Sequence, residues 1–167
     1  LLCAATLPPV GRILALNRIG ELVFLDGRSD FLELSINQFG KSFHPRGDKY
    51  LRNFQLDGTA RWSYDVEGVA ITKELQVVWQ RNAIGLRYRI DPGERQVELH
   101  LLPFVSLRDF HSLRHAAGTQ FDVTTDVSDM SVSDKAHTLR IHSDAGKFGP
   151  KSDWWYGHYY AIENERG

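Results

Sequence analysis

The stretch Val69-Ala70-Ile71-Thr72-Lys73-Glu74-Leu75-Gln76-Val77-Val78-Trp79-Gln80 decides the fold. Val69, Ile71, Leu75, Val77 and Trp79 share one parity, and Thr72, Glu74, Gln76 and Gln80 the other. A period of two is the signature of a strand with one buried and one wet face. The same alternation runs on both sides of it. Trp62, Tyr64 and Val66 oppose Arg61, Ser63 and Asp65, and Ile84, Leu86, Tyr88 and Ile90 oppose Arg87 and Arg89.

Between these runs stand residue pairs that favour tight turns: Asp26-Gly27, Asp57-Gly58, Glu67-Gly68 and Asp91-Pro92-Gly93. Turns this short join antiparallel neighbours. Further strands are expected at Ile13 to Asn17, Glu21 to Leu25, Phe31 to Ile36, Leu51 to Leu56, Gln96 to Phe104, Gln120 to Asp126, Ser131 to Ser133, Thr138 to His142 and Trp154 to Ala161. No segment shows a helical face. The pattern predicts an all-β protein, a large antiparallel β-sandwich forming a single domain over residues 1–167, with a closed barrel as the alternative. The long interruptions are Gln38 to Lys49, Ser106 to Gly118 and Ala145 to Asp153.

Composition narrows the classes of function. The chain has 167 residues, 42% of them apolar, with 20 basic and 21 acidic side chains. A formal charge of −1 supplies no field for a polyanion, so nucleic acid is a poor partner. No apolar run approaches the roughly 18 residues of a membrane span. The lone Cys3 cannot form an internal disulfide, and a cytoplasmic location is expected. The chain opens without Met and stops just after an aromatic cluster, so a fragment of a longer protein is expected.

Three places carry chemistry. Phe43-His44-Pro45-Arg46-Gly47-Asp48-Lys49-Tyr50 combines backbone-fixing Pro and Gly with donors and acceptors, and His44 and Arg46 are its candidates for sugar hydroxyls or a domain interface. A structural loop, with Arg and His satisfying carbonyls, is the reading that residue types alone favour.

The second is Ser106-Leu107-Arg108-Asp109-Phe110-His111-Ser112, where Arg108, Asp109 and His111 are candidates and the Asp-x-His spacing suits an acid/base pair. His111 and His115 would share a face only on a helix, which nothing here supports, and Ser112 lacks a nucleophile elbow. Neither a metal nor any other cofactor is expected.

The third is Asp153-Trp154-Trp155-Tyr156-Gly157-His158-Tyr159-Tyr160, in which Trp154, Trp155 and Tyr156 could stack on sugar rings. Core or interface packing is the competing role for such aromatics. No carboxylate pair suited to glycoside hydrolysis is identifiable, since Glu163 and Glu165 read as solvated charges or linker.

The order of these motifs carries a resemblance. Pro8-Pro9-Val10-Gly11-Arg12, Phe43-His44-Pro45-Arg46-Gly47, Tyr50-Leu51, Trp62-Ser63-Tyr64, Arg108-Asp109-Phe110-His111-Ser112, Asp153-Trp154 to Tyr160 and Glu163 to Gly167 together resemble the N-terminal domain of bacterial and archaeal glycogen debranching enzymes of the amylo-alpha-1,6-glucosidase type. The resemblance implies a galactose-mutarotase-like supersandwich packed against a C-terminal α/α toroid that holds the catalytic carboxylates. It implies an accessory domain that supports catalysis and contributes to binding glycogen or a related α-glucan, with no catalytic residue of its own. Two other readings stay open. One is a freestanding carbohydrate-binding module, and the other a self-sufficient epimerase or hydrolase that would need His44, His111 and a carboxylate in one pocket.

Overall fold

The computed structural model describes residues 1–8, 10–149, 153–161 and 165. The chain is all-β. Its strands are β1 (Leu2–Leu7), β2 (Gly11–Leu25), β3 (Leu32–Glu33), β4 (Ile36–Phe39), β5 (Ser42–Arg46), β6 (Leu51–Leu56), β7 (Ala60–Val66), β8 (Val69–Val77), β9 (Ile84–Asp91), β10 (Val97–Asp109), β11 (Asp122–Thr125), β12 (Asp129–Ser133) and β13 (Thr138–His142). They form antiparallel sheets in the orders β1-β2-β10 with β3 beside β2, β4-β5, β6-β7-β8-β9 and β11-β12-β13. The chain clusters into two compact units, Leu1–Ile19 with Pro103–Trp154, and Gly20–Leu102 with Trp155–Gly167.

In the second unit the alternation of the quoted stretch becomes register. Tyr64 pairs with Ile71 and Ile71 with Ile90, while on the opposite face Arg61 pairs with Glu74 and Glu74 with Arg87. The apolar face of this sheet packs on the end of β2: Val23, Leu25, Leu34, Tyr50, Val66, Val69 and Ile71 make one buried cluster. Two sheets that pack apolar face to apolar face form a sandwich core. Glu67 and Gly68 both take positive φ, the backbone of the two-residue hairpin that closes Val66 onto Val69, and Asp26 and Gly27 take positive φ at the start of the longer connection from Leu25 to Leu32.

The first unit places Ile13, Ala15 and Leu16 of β2 beside β1, with Val132 and Leu139 buried in the β11-β12-β13 sheet. Ser106 anchors β10 there by donating to the Leu14 carbonyl at 2.6 Å.

Several boundaries differ from expectation. Strand β8 ends at Val77, and Trp79 lies 85% exposed in the turn that follows, where the Val78 N–H donates to the Ala83 carbonyl and Gln80 has φ +56°. Strand β2 is continuous where two strands were expected, and β10 extends into the expected loop from Ser106. The expected loop Gln38 to Lys49 contains β5. Trp154 to Ala161 is not a strand: residues 153–160 are irregular, and Gly157 at φ +77° turns the backbone away from extension. Glu163 lies outside the described residues.

Candidate functional site

The His-Pro-Arg-Gly loop is rooted at both ends. Tyr50 is buried in the core of the second unit, and Gly47 lies against the backbone of Leu34 and Ser35, its N–H donating to the Ser35 carbonyl at 3.0 Å. A Cβ on Gly47 would stand 2.2 Å from Leu34 backbone atoms, so only glycine fits. Arg46 forms a two-pronged pair with Asp48, Nε to Oδ1 at 2.8 Å and Nη2 to Oδ2 at 2.5 Å. Hydrogen bonding to Arg46 holds the Asp48 carboxyl below its ordinary range, which makes it a poor proton donor near neutral pH. Phe43 and His44 remain exposed on β5, and the His44–Pro45 peptide is cis.

The aromatic segment after Trp154 docks on this hairpin. The Tyr159 N–H donates to the Gln38 carbonyl at 2.9 Å. His158 stacks on Phe39 with ring centroids 5.0 Å apart, and Trp155 lies nearly parallel to His158 at 6.3 Å. Tyr156 projects outward, 71% exposed, with Trp155 at 39%. The structure thus brings His44 and Arg46 onto the same hairpin that carries Trp155 and Tyr156. Sequence reading named both groups but not their anchors, Gln38 and Phe39, because a single backbone hydrogen bond and one ring stack leave no periodic signal.

Arg108, Asp109 and His111 belong to the first unit. There Arg108 Nη1 donates to the carbonyls of Asp109 and Phe110, both at 3.1 Å, and to that of Ser112. Asp109 Oδ1 accepts the backbone N–H of His111 at 2.8 Å, so this carboxylate caps a turn and does not orient the imidazole. Residues 110–115 form a turn and irregular chain, not the helix that would align His111 with His115. Arg114, absent from the sequence-derived candidates, bridges the Leu107 carbonyl and Asp134, at 2.8 Å from Asp134 Oδ2. Its guanidinium also sits 5.3 Å from the Phe121 ring centroid, and Phe121 stacks on Trp154 at 6.2 Å.

Trp154 therefore packs in the first unit and Trp155 in the second. Among the described residues no group of three or more His, Cys, Asp or Glu side chains is placed to hold a metal ion, and no helix is long and apolar enough to cross a membrane.

Comparison with curated proteins and with solved structures returned no match. A family model described as glycogen debranching enzyme N terminal matches residues 1–167, which includes the hairpin loop, the Arg108 turn and the aromatic segment. The chain belongs to the glycogen debranching enzyme N-terminal family.

Proposed function

We propose that this chain is a non-catalytic accessory domain of a glycogen debranching glycoside hydrolase. It acts as one β domain that supports a catalytic domain and lends the hairpin–aromatic surface to α-glucan binding. The parent reaction on this reading is hydrolysis of α-1,6-glucosidic branch points, in which one carboxyl protonates the leaving oxygen and another activates water. Support for the accessory role is the family match over the whole chain. Strands β2 and β10, each beginning in one unit and ending in the other, support its acting as one domain.

The observation that carries the binding role is the set of exposed rings at Trp155 and Tyr156, held in place on the hairpin that presents His44. Sugar rings stack their C–H faces on such aromatics while an imidazole bonds hydroxyls. Arg46, paired with Asp48, shapes the hairpin loop and leaves the exposed His44 as its polar contact.

Affinity electrophoresis in glycogen tests the binding role. The chain is expected to be retarded, and Trp155→Ala with Tyr156→Ala to restore free migration; retardation that survives both substitutions overturns it. Assays of the chain and of the full-length protein on a branched limit dextrin test the accessory role, and full activity in the chain alone would overturn it. The same exposed rings also fit a freestanding binding module, which requires the chain alone to bind glycogen as tightly as the full-length protein does.

A further inference from the structure

The polar face of the β6-β7-β8-β9 sheet carries a cluster that the hairpin site does not use. Register places Arg61, Glu74 and Arg87 side by side on β7, β8 and β9, with Arg89 two residues further along β9 and Gln76 opposite Gly85. These six residues line a shallow open depression of about 390 Å³. Gly85 meets no atom within 4 Å of where a Cβ would stand, so the floor between Gln76 and Arg87 is left uncovered. A glycine inside a strand commonly marks close approach by a ligand or another backbone.

Three arginines and one carboxylate, Glu74, line the depression, while Asp65 and Asp91 stand further along the same face. Arg61 Nε donates to Glu74 Oε1 at 3.0 Å, and its Nη1 lies 4.0 Å from Asp57 Oδ2. Arg87 reaches Glu74 only at 3.9 Å, and Arg89 acts on it through space. Hydrogen bonding to Arg61, with the charges of Arg89 and Arg87, holds Glu74 below the usual carboxylate range, so it stays ionised and engaged. Two exposed guanidiniums are left with donors to spare, on residues two apart along β9 that share this face of the sheet.

We infer that this face binds a phosphate monoester of a sugar, its oxygens held by Arg87 and Arg89 and its ring lying over Gly85 within reach of Gln76. A tetrahedral dianion offers three oxygens to guanidiniums on adjacent positions, where a carboxylate offers two in one plane. The sugar half rests on the α-glucan reading above; the phosphate half does not.

Isothermal titration of the 167-residue chain at fixed ionic strength separates the two. Inorganic phosphate is expected to bind, and Arg87→Gln with Arg89→Gln to weaken it at least about tenfold, circular dichroism confirming that the double variant keeps its fold. No heat with phosphate up to about 10 mM, well beyond the range of a useful site, or equal binding by the double variant, overturns the inference. Tighter binding of a free hexose phosphate, or of a phosphorylated α-glucan over its phosphate-free form, identifies which source the site takes. Equal affinity for inorganic phosphate and both sugar forms overturns the sugar assignment. Gly85→Leu is expected to lose the sugar increment while keeping the response to inorganic phosphate.

Discussion

Glu21 and Lys73, 52 residues apart in the chain, form an ion pair inside the second unit with side chains only 4% and 10% exposed. Glu21 Oε1 also accepts from the Tyr88 hydroxyl at 2.8 Å, and the Lys73 ammonium lies 5.5 Å from the Trp62 ring centroid. Lys73 occupies the apolar parity of β8, opposite Trp62 on one side and Tyr88 on the other. Removing one partner of a buried pair strands the other charge in a poor solvent. Lys73→Met is therefore expected to cost about 3–5 kcal/mol, and Glu21→Leu with Lys73→Met together substantially less. Urea unfolding of the three proteins checks this; a double variant at least as unstable as the single one would show that the pair is not a liability when broken.

Two half-buried phenols beside the Glu21 carboxylate predict an alkaline limit. Burial first, and the Glu21 charge second, push the Tyr64 hydroxyl up to about 12, and the same causes raise Tyr88. A phenol raised in the folded state contributes stability that is complete below the unfolded value near 10 and is lost as pH climbs through the folded value. Unfolding free energy should fall between about pH 10 and 12, and Tyr64→Phe with Tyr88→Phe should flatten that decline. An unchanged slope in the double variant would place the alkaline limit elsewhere.

Much of this was readable from the sequence, and the failures have physical causes. Alternation at Val69–Val77 was legible because each parity meets a different solvent, and Glu67-Gly68 because a two-residue hairpin requires positive φ at both positions. The aromatic run at 154–160 has strand-like composition, yet a single glycine and one hydrogen bond to Gln38 bend it into a strap. Tertiary docking of that kind leaves no local period to read. Asp109 and His111 had the spacing of an acid/base pair, and that spacing equally makes a carboxylate-capped turn. Lys73 interrupts the apolar parity of β8, but its partner Glu21, 52 residues away on another strand, leaves no local signal.

Gly47 gives a sharp contrast with Gly85. A methyl group at residue 47 collides with rigid backbone, whereas at residue 85 it meets open space. Gly47→Ala should destabilise the protein by about 3 kcal/mol or more and free the hairpin loop, while Gly85→Ala should stay within about 0.5 kcal/mol of the parent. Thermal melts of both variants measure the difference. Similar melting temperatures would mean that the Leu34–Ser35 backbone yields to the loop more easily than its packing implies.

Arg95 ties two turns to β10 with a fork. Its Nε and Nη2 donate to Asp26 Oδ2 at 3.0 and 2.7 Å, and its Nη1 donates to the Glu67 carbonyl at 2.8 Å. Hydrogen bonding to Arg95 holds Asp26 below its ordinary value. A carboxylate depressed in the folded state contributes stability that is present above the unfolded pKa near 3.9 and disappears as pH falls through the folded one. Arg95→Lys keeps the charge but cannot serve both turns with planar geometry. Its melting temperature should lie below the parent's at pH 7, and the gap should narrow as pH drops below about 4. A gap that persists unchanged to pH 2 would mean that the arginine acts through the Glu67 carbonyl and its packing, not through the Asp26 carboxylate.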